Sequence, residues 1–257
     1  MREWMVVGNW KMNCTKEESV SLARAIRQEL GEPKSGTVAI APPFTSLAHV
    51  YEEIKDSPIK LCAQNLFHED RGAFTGEISP LMLLDCGCSY VIVGHSERRR
   101  LFGETDDVVN RKVKKALASG LKPILCVGET VEERERQVTE FVVGMQLRAG
   151  LYGVEAIRDV TIAYEPVWAI GTGKNATPAE AQEVQRFIRE ILIDAYGEAC
   201  LRTRILYGGS VTEKNIAELA QMEDIDGVLV GGASLKTESF VAIIRCVEEV
   251  KVWSRSS

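Results

Sequence analysis

The chain has 257 residues, 45% of them hydrophobic and 26% charged, with a formal net charge of -6. This composition supports a sizeable core and excludes a disordered or fibrous chain, while the acidic balance argues against a nucleic-acid partner. No apolar run reaches membrane-spanning length, and seven cysteines, odd in number and without zinc-type pairing, read as reduced thiols of a cytoplasmic protein.

In chain order, β-branched runs alternate with amphipathic ones. A strand is predicted over 5–9, ending on Asn9 with Trp10 and Lys11 behind it, and a helix over 16–30. Strands over 38–41 and 60–64 follow, with His49 in a helical stretch between them. A long connection over 66–79, from Leu66 to Ser79, carries Phe67, His68 and Phe74; two aromatic rings in need of cover suggest insertion into a neighbouring subunit. The strand over 90–94 ends at His95, and Ser96 and Glu97 have the chemistry of a helix start. The basic run Arg98, Arg99 and Arg100 reads as ion pairing along a helix face ahead of anion binding. Then come a helix over 106–119, a strand over 123–127, a helix over 131–151 and a strand over 160–165. A helix over 178–196, strands over 204–207 and 227–230, and a helix over 237–252 complete the series.

Strands that are nearly continuous apolar runs, each separated by a helix, imply a parallel sheet covered on its outer face. Eight such units in this length predict an α/β fold, a closed (β/α)8 barrel forming one domain over 1–257. An open doubly wound sheet is the rival, but no strand is followed by a GxGxxG turn.

In a barrel the carboxyl ends of the strands converge on one mouth. Glu165 ends its strand because Pro166 has no N–H to continue the ladder. The loop behind it reads as a lid of Pro166, Val167, Trp168, Ala169, Ile170, Gly171, Thr172, Gly173, Lys174, Asn175 and Ala176. Glycine turns at Gly208-Gly209-Ser210 and Gly231-Gly232, the second leading into a short helix near 233–235, suit a phosphate cradle. Lys11 supplies a cation, and His95 stands where a helix amino end keeps an imidazole neutral. A carboxylate base, a neutral electrophile, a cation, a cradle and a lid, with no metal or cofactor motif, fit proton transfer beside the carbonyl of a small phosphorylated sugar.

The segments GNWKMN (8–13), AQN (63–65), GAFTGE (72–77), VGHSERR (93–99), CVGET (126–130), AYEPVWAIGTG (163–173), YGGS (207–210) and LVGGASL (229–235) resemble the triosephosphate isomerase family over essentially the full chain. The resemblance implies interconversion of dihydroxyacetone phosphate and glyceraldehyde 3-phosphate in glycolysis and gluconeogenesis, without a cofactor. It implies Glu165 as base, His95 as electrophile and Lys11 as the third catalytic group. Asn9 and Lys11 contact substrate, while Gly171, Ser210, Gly231 and Gly232 hold phosphate. Glu97 positions Lys11, and Cys126 packs nearby without acting as nucleophile. A homodimer is implied, with Thr75 of the long loop approaching the other subunit's catalytic segment; Cys14 follows that segment where small residues are common, and if it lies at the interface its oxidation or alkylation would weaken the dimer. The lid's closing hinge has Asn175 where the family more often has threonine or serine, so opening rate could differ. Two other readings stay open: a Schiff-base aldolase using Lys11, and a barrel that only binds sugar phosphate.

Overall fold

The computed structural model describes residues 2–33, 35–169 and 176–253. Eight parallel strands close into a barrel in chain order: β1 Met5–Asn9, β2 Thr37–Ala41, β3 Lys60–Ala63, β4 Tyr90–Val93, β5 Lys122–Val127, β6 Thr161–Tyr164, β7 Arg204–Tyr207 and β8 Gly227–Val230. The closed barrel removes the open-sheet rival. Around it run α1 Lys16–Leu30, α2 Leu47–Ile54, α3 Pro80–Asp85, α4 Ser96–Phe102, α5 Asp106–Ala118, α6 Val131–Glu135, α7 Thr139–Gly150, α8 Pro178–Tyr196, α9 Ile216–Gln221 and α10 Thr237–Trp253.

The strands are buried on both faces, and their period of two sorts side chains between two cores. Met5, Val7, Tyr90, Ile92, Cys126, Ala163, Leu206 and Leu229 fill the barrel interior. Val6, Val91, Val93, Ile162, Ile205 and Val228 pack outward under the helices. Continuing each inward series by one step places Asn9 after Val7 and Glu165 after Ala163 in the mouth. The same step after Leu206 and Leu229 gives Gly208 and Gly231, so two strands end there without side chains. Closure itself needs a glycine, because a Cβ at Gly227 would fall 1.8 Å from the Met5 carbonyl oxygen on the neighbouring strand.

One predicted helix is two. The segment 131–151 breaks between Glu135 and Thr139, where Gln137 adopts φ 57° and ends the first helix. Several strands also stop a residue short of their predicted ends: Gln64, Gly94 and Glu165 lie just beyond β3, β4 and β6. Glu165 still donates its backbone N–H to Val127 at 2.8 Å, so the ladder carries it to the barrel rim.

Candidate active site

At the mouth lies a cavity of about 300 Å³, lined by Asn9, Lys11, His95 and Glu165 on one side and by Gly208 to Thr212, Leu229 and Gly231 to Ala233 on the other. Lys11 follows β1 with φ 53°, a left-handed backbone unusual for a side chain with a Cβ. Its N–H donates to Asn9 Oδ1 at 3.1 Å, and its carbonyl accepts from Gln64 Nε2 at 2.8 Å. The ammonium is paired with Glu97 Oε1 at 2.7 Å.

His95 caps α4, its Nδ1 accepting the Glu97 N–H at 3.2 Å. An amide can only donate, so the ring proton sits on Nε2, which faces Glu165 Oε1 at 2.9 Å. The other carboxylate oxygen, Oε2, accepts the Ser96 N–H at 2.9 Å. Glu165 is buried; that burial acts to raise its pKa, but His95 and the Ser96 amide outweigh it and hold the carboxyl below its ordinary value. For His95, burial acts to lower the pKa, and the charge and hydrogen bond of Glu165 push it above its ordinary value. A second ring proton would nevertheless have to displace the Glu97 amide from Nδ1, so the docked imidazole is neutral.

Cys126 is fully buried beside this pair, and burial followed by the Glu165 charge puts its thiol well above its ordinary range. Such a thiol is a poor nucleophile. Ser210 and the pair Gly231-Gly232 line the far end of the cavity, and Gly232–Leu235 form the short helical turn expected there. Ile170, Gly171, Thr172, Gly173, Lys174 and Asn175 lie outside the described residues. Pro166, Val167, Trp168, Ala169 and Ala176 are described, and Val167–Ala169 form a single 3-10 turn. Thr75 is exposed on the 66–79 loop, where Phe67 and Phe74 stack at 4.6 Å.

Three supporting features escape sequence reading. Besides Lys11, Gln64 Nε2 reaches the Ala41 carbonyl at 2.8 Å. Arg99 joins two strand ends, donating to the carbonyls of Gly94 at 2.9 Å and Cys126 at 3.4 Å. Glu129, fully buried, anchors the start of the lid by accepting from Trp168 Nε1 at 2.8 Å and from the Tyr164 hydroxyl at 3.1 Å. Arg134 stacks on the Trp168 ring at 4.4 Å and bridges Glu129 to Glu180. The GET segment around Glu129 signalled the place but not the contact.

A family model described as triosephosphate isomerase matches residues 4–247. The chain belongs to the triosephosphate isomerase family. It is 56% identical to the triosephosphate isomerase of Prosthecochloris aestuarii over 97% of this chain and the whole of the relative. It is 54% identical to that of Carboxydothermus hydrogenoformans over 95% of this chain and 99% of the relative, and 53% identical to that of Endomicrobium trichonymphae over the same shares. Family membership and the (β/α)8 barrel thus agree in a triosephosphate isomerase whose candidate site lies at the carboxyl end of the strands.

Proposed function

We propose that this chain carries out the isomerisation of its family, dihydroxyacetone phosphate to glyceraldehyde 3-phosphate, with Glu165 as the proton carrier. The observation that supports this most directly is the pairing of a buried, ionised carboxylate with a neutral imidazole at 2.9 Å, above a cavity of triose size. As it stands, Glu165 is satisfied by His95 Nε2 and Ser96 N. To take a proton from the substrate carbon it must give these bonds up, which frees the His95 Nε2–H to donate to the substrate carbonyl. The carboxylate removes the proton from one carbon, and the carbonyl oxygen gains negative charge stabilised by His95 and Lys11; that oxygen takes up the proton of the neighbouring hydroxyl by way of the His95 ring, and the carboxyl returns its proton to the neighbouring carbon as the former hydroxyl becomes the new carbonyl. The step passes through an enediolate. With Glu165 drawn towards substrate, the Glu97 N–H still occupies His95 Nδ1, and burial and Lys11 act against a second ring proton while the Glu97 charge acts for it; the amide at Nδ1 keeps the ring neutral.

Backbone N–H groups around Ser210 and Gly231-Gly232 hold the phosphate in this reading, and the lid excludes water from the enediolate. The Schiff-base alternative is weakened because Lys11 Nζ is ion-paired with Glu97 rather than set in an apolar pocket. We also read the chain as one barrel domain acting in glycolysis and gluconeogenesis as a cytoplasmic homodimer. Support for the dimer comes from apolar side chains left in the open, Met12 at 96% exposure together with Phe74, Leu101 and Phe102. Among the described residues no helix is long and apolar enough to cross a membrane.

The test is conversion of glyceraldehyde 3-phosphate coupled to an NADH-dependent reductase. Rapid conversion by the parent that disappears in Glu165→Gln supports reaction and base together. A folded protein without conversion, or a Glu165→Gln variant that keeps it, sinks the reading.

A further inference from the structure

Gln64 stands one residue beyond β3, and the reaction as described gives it no part. Its Nε2 spends its two hydrogens on two backbone carbonyls, those of Lys11 and Ala41, each at 2.8 Å. Ala41 is the last residue of β2, and its carbonyl also accepts the Trp10 N–H at 3.1 Å. Gln64 therefore ties the segment beyond β1 to the rim of β2.

Lys11 needs such a tie. A lysine at φ 53° persists only where its surroundings over-determine the backbone. Here both flanking peptide groups are pinned, the N–H by Asn9 Oδ1 at 3.1 Å and the carbonyl by Gln64. The pinned backbone aims the side chain across the mouth: Lys11 Cε lies 3.6 Å and Nζ 3.9 Å from where a Cβ on Gly231 would sit.

We propose that Gln64 is a positioning residue, holding Lys11 in its left-handed conformation so that the ammonium lies over the phosphate cradle. This rests on reading the cavity as the triose phosphate site. Without the Gln64 bond the Lys11 peptide turns back to negative φ, and its Cβ, with the amine, leaves the cavity.

The test is a double-mutant cycle with Gln64→Met, Lys11→Ala and the pair, read as the dissociation constant of glycerol 3-phosphate, which carries phosphate but no carbonyl. Gln64→Met should weaken binding roughly tenfold, and the pair should bind no worse than Lys11→Ala alone, because one variant acts through the other. Unchanged binding in Gln64→Met, or losses that multiply in the pair, overturns the proposal. Parent-like binding by Lys11→Ala sinks the reading of Lys11 beneath it, a failure visible in that single variant. Should Gln64→Met not fold, Gln64→Asn keeps the amide but is too short to span both carbonyls. It carries the same expected and overturning results.

Discussion

Gly208 lacks a side chain where Glu165 needs room: a Cβ there would fall 2.9 Å from Glu165 Cγ and 3.2 Å from the Tyr164 carbonyl oxygen. Gly208→Ala should therefore displace the base while leaving the barrel folded, with turnover down by roughly 10²-fold, the order expected for a misplacement of about 1 Å. Steady-state kinetics beside a melting curve checks this, and parent-like turnover would show that Glu165 has slack. Glu165→Asp, which withdraws the carboxylate by one methylene, should likewise lose turnover by about 10²-fold or more with KM little changed. The pH dependence has a definite sign. A base must be ionised to accept a proton, and Glu165 is held below the ordinary 4.5. Lowering the pH from 8 to 5 should leave it charged. Any acid limb near about 6 then belongs to the second ionisation of the substrate phosphate. Activity towards unphosphorylated glyceraldehyde should be flat over that range, and a limb there would place the titration on the protein. The same depressed value contributes stability above about 4.5 that is lost as pH falls through the folded pKa.

Among the elements, those with a cap and a period were legible to the residue. α1 and α8 each open on a threonine whose hydroxyl accepts the N–H of a glutamate three residues on, and that glutamate returns the bond. Thr177→Ala should cost about 1 kcal/mol, seen as a lower midpoint in urea unfolding. α6 has the same box at Thr130 and Glu133, yet its end was missed because the apolar period runs on through the break at Gln137. α3 and α9 are six residues long, too short to display a helical period. The arginine run does form ion pairs, but not along its own helix face: Arg98 reaches Glu104 beyond the end of α4, and Arg99 reaches Asp106 at the start of α5, each at 2.5 Å. Asn9, His95 and Glu165 could be found from sequence because strand ends converge in a barrel. Gln64 and Glu129 could not, since each does its work on a residue far along the chain, Lys11 and Trp168, and no local pattern encodes that pairing.

For the whole molecule, the seam of the barrel is held from its far end. Asp226, just before β8, accepts from Arg2 Nε at 2.6 Å, Arg189 at 2.6 Å and the Ile205 N–H at 2.9 Å, joining the start of the chain, α8 and β7. Asp226→Ala would leave the buried Arg189 charge with a single, longer carboxylate contact, Asp224 at 3.3 Å, beside its bond to the Thr203 carbonyl, and should destabilise the fold by about 3 kcal/mol. Unfolding in urea should show that loss, while activity at low temperature survives because the seam lies opposite the mouth. The left-handed backbone of Lys11 bears on stability in the contrary direction. Glycine would sit there without the roughly 1–2 kcal/mol penalty that a Cβ incurs, so Lys11→Gly should give a barrel that melts higher and no longer grips its substrate. A search for sturdier variants that scores only unfolding would thus drift towards glycine at this position, and would have to be held to a catalytic readout to keep the enzyme.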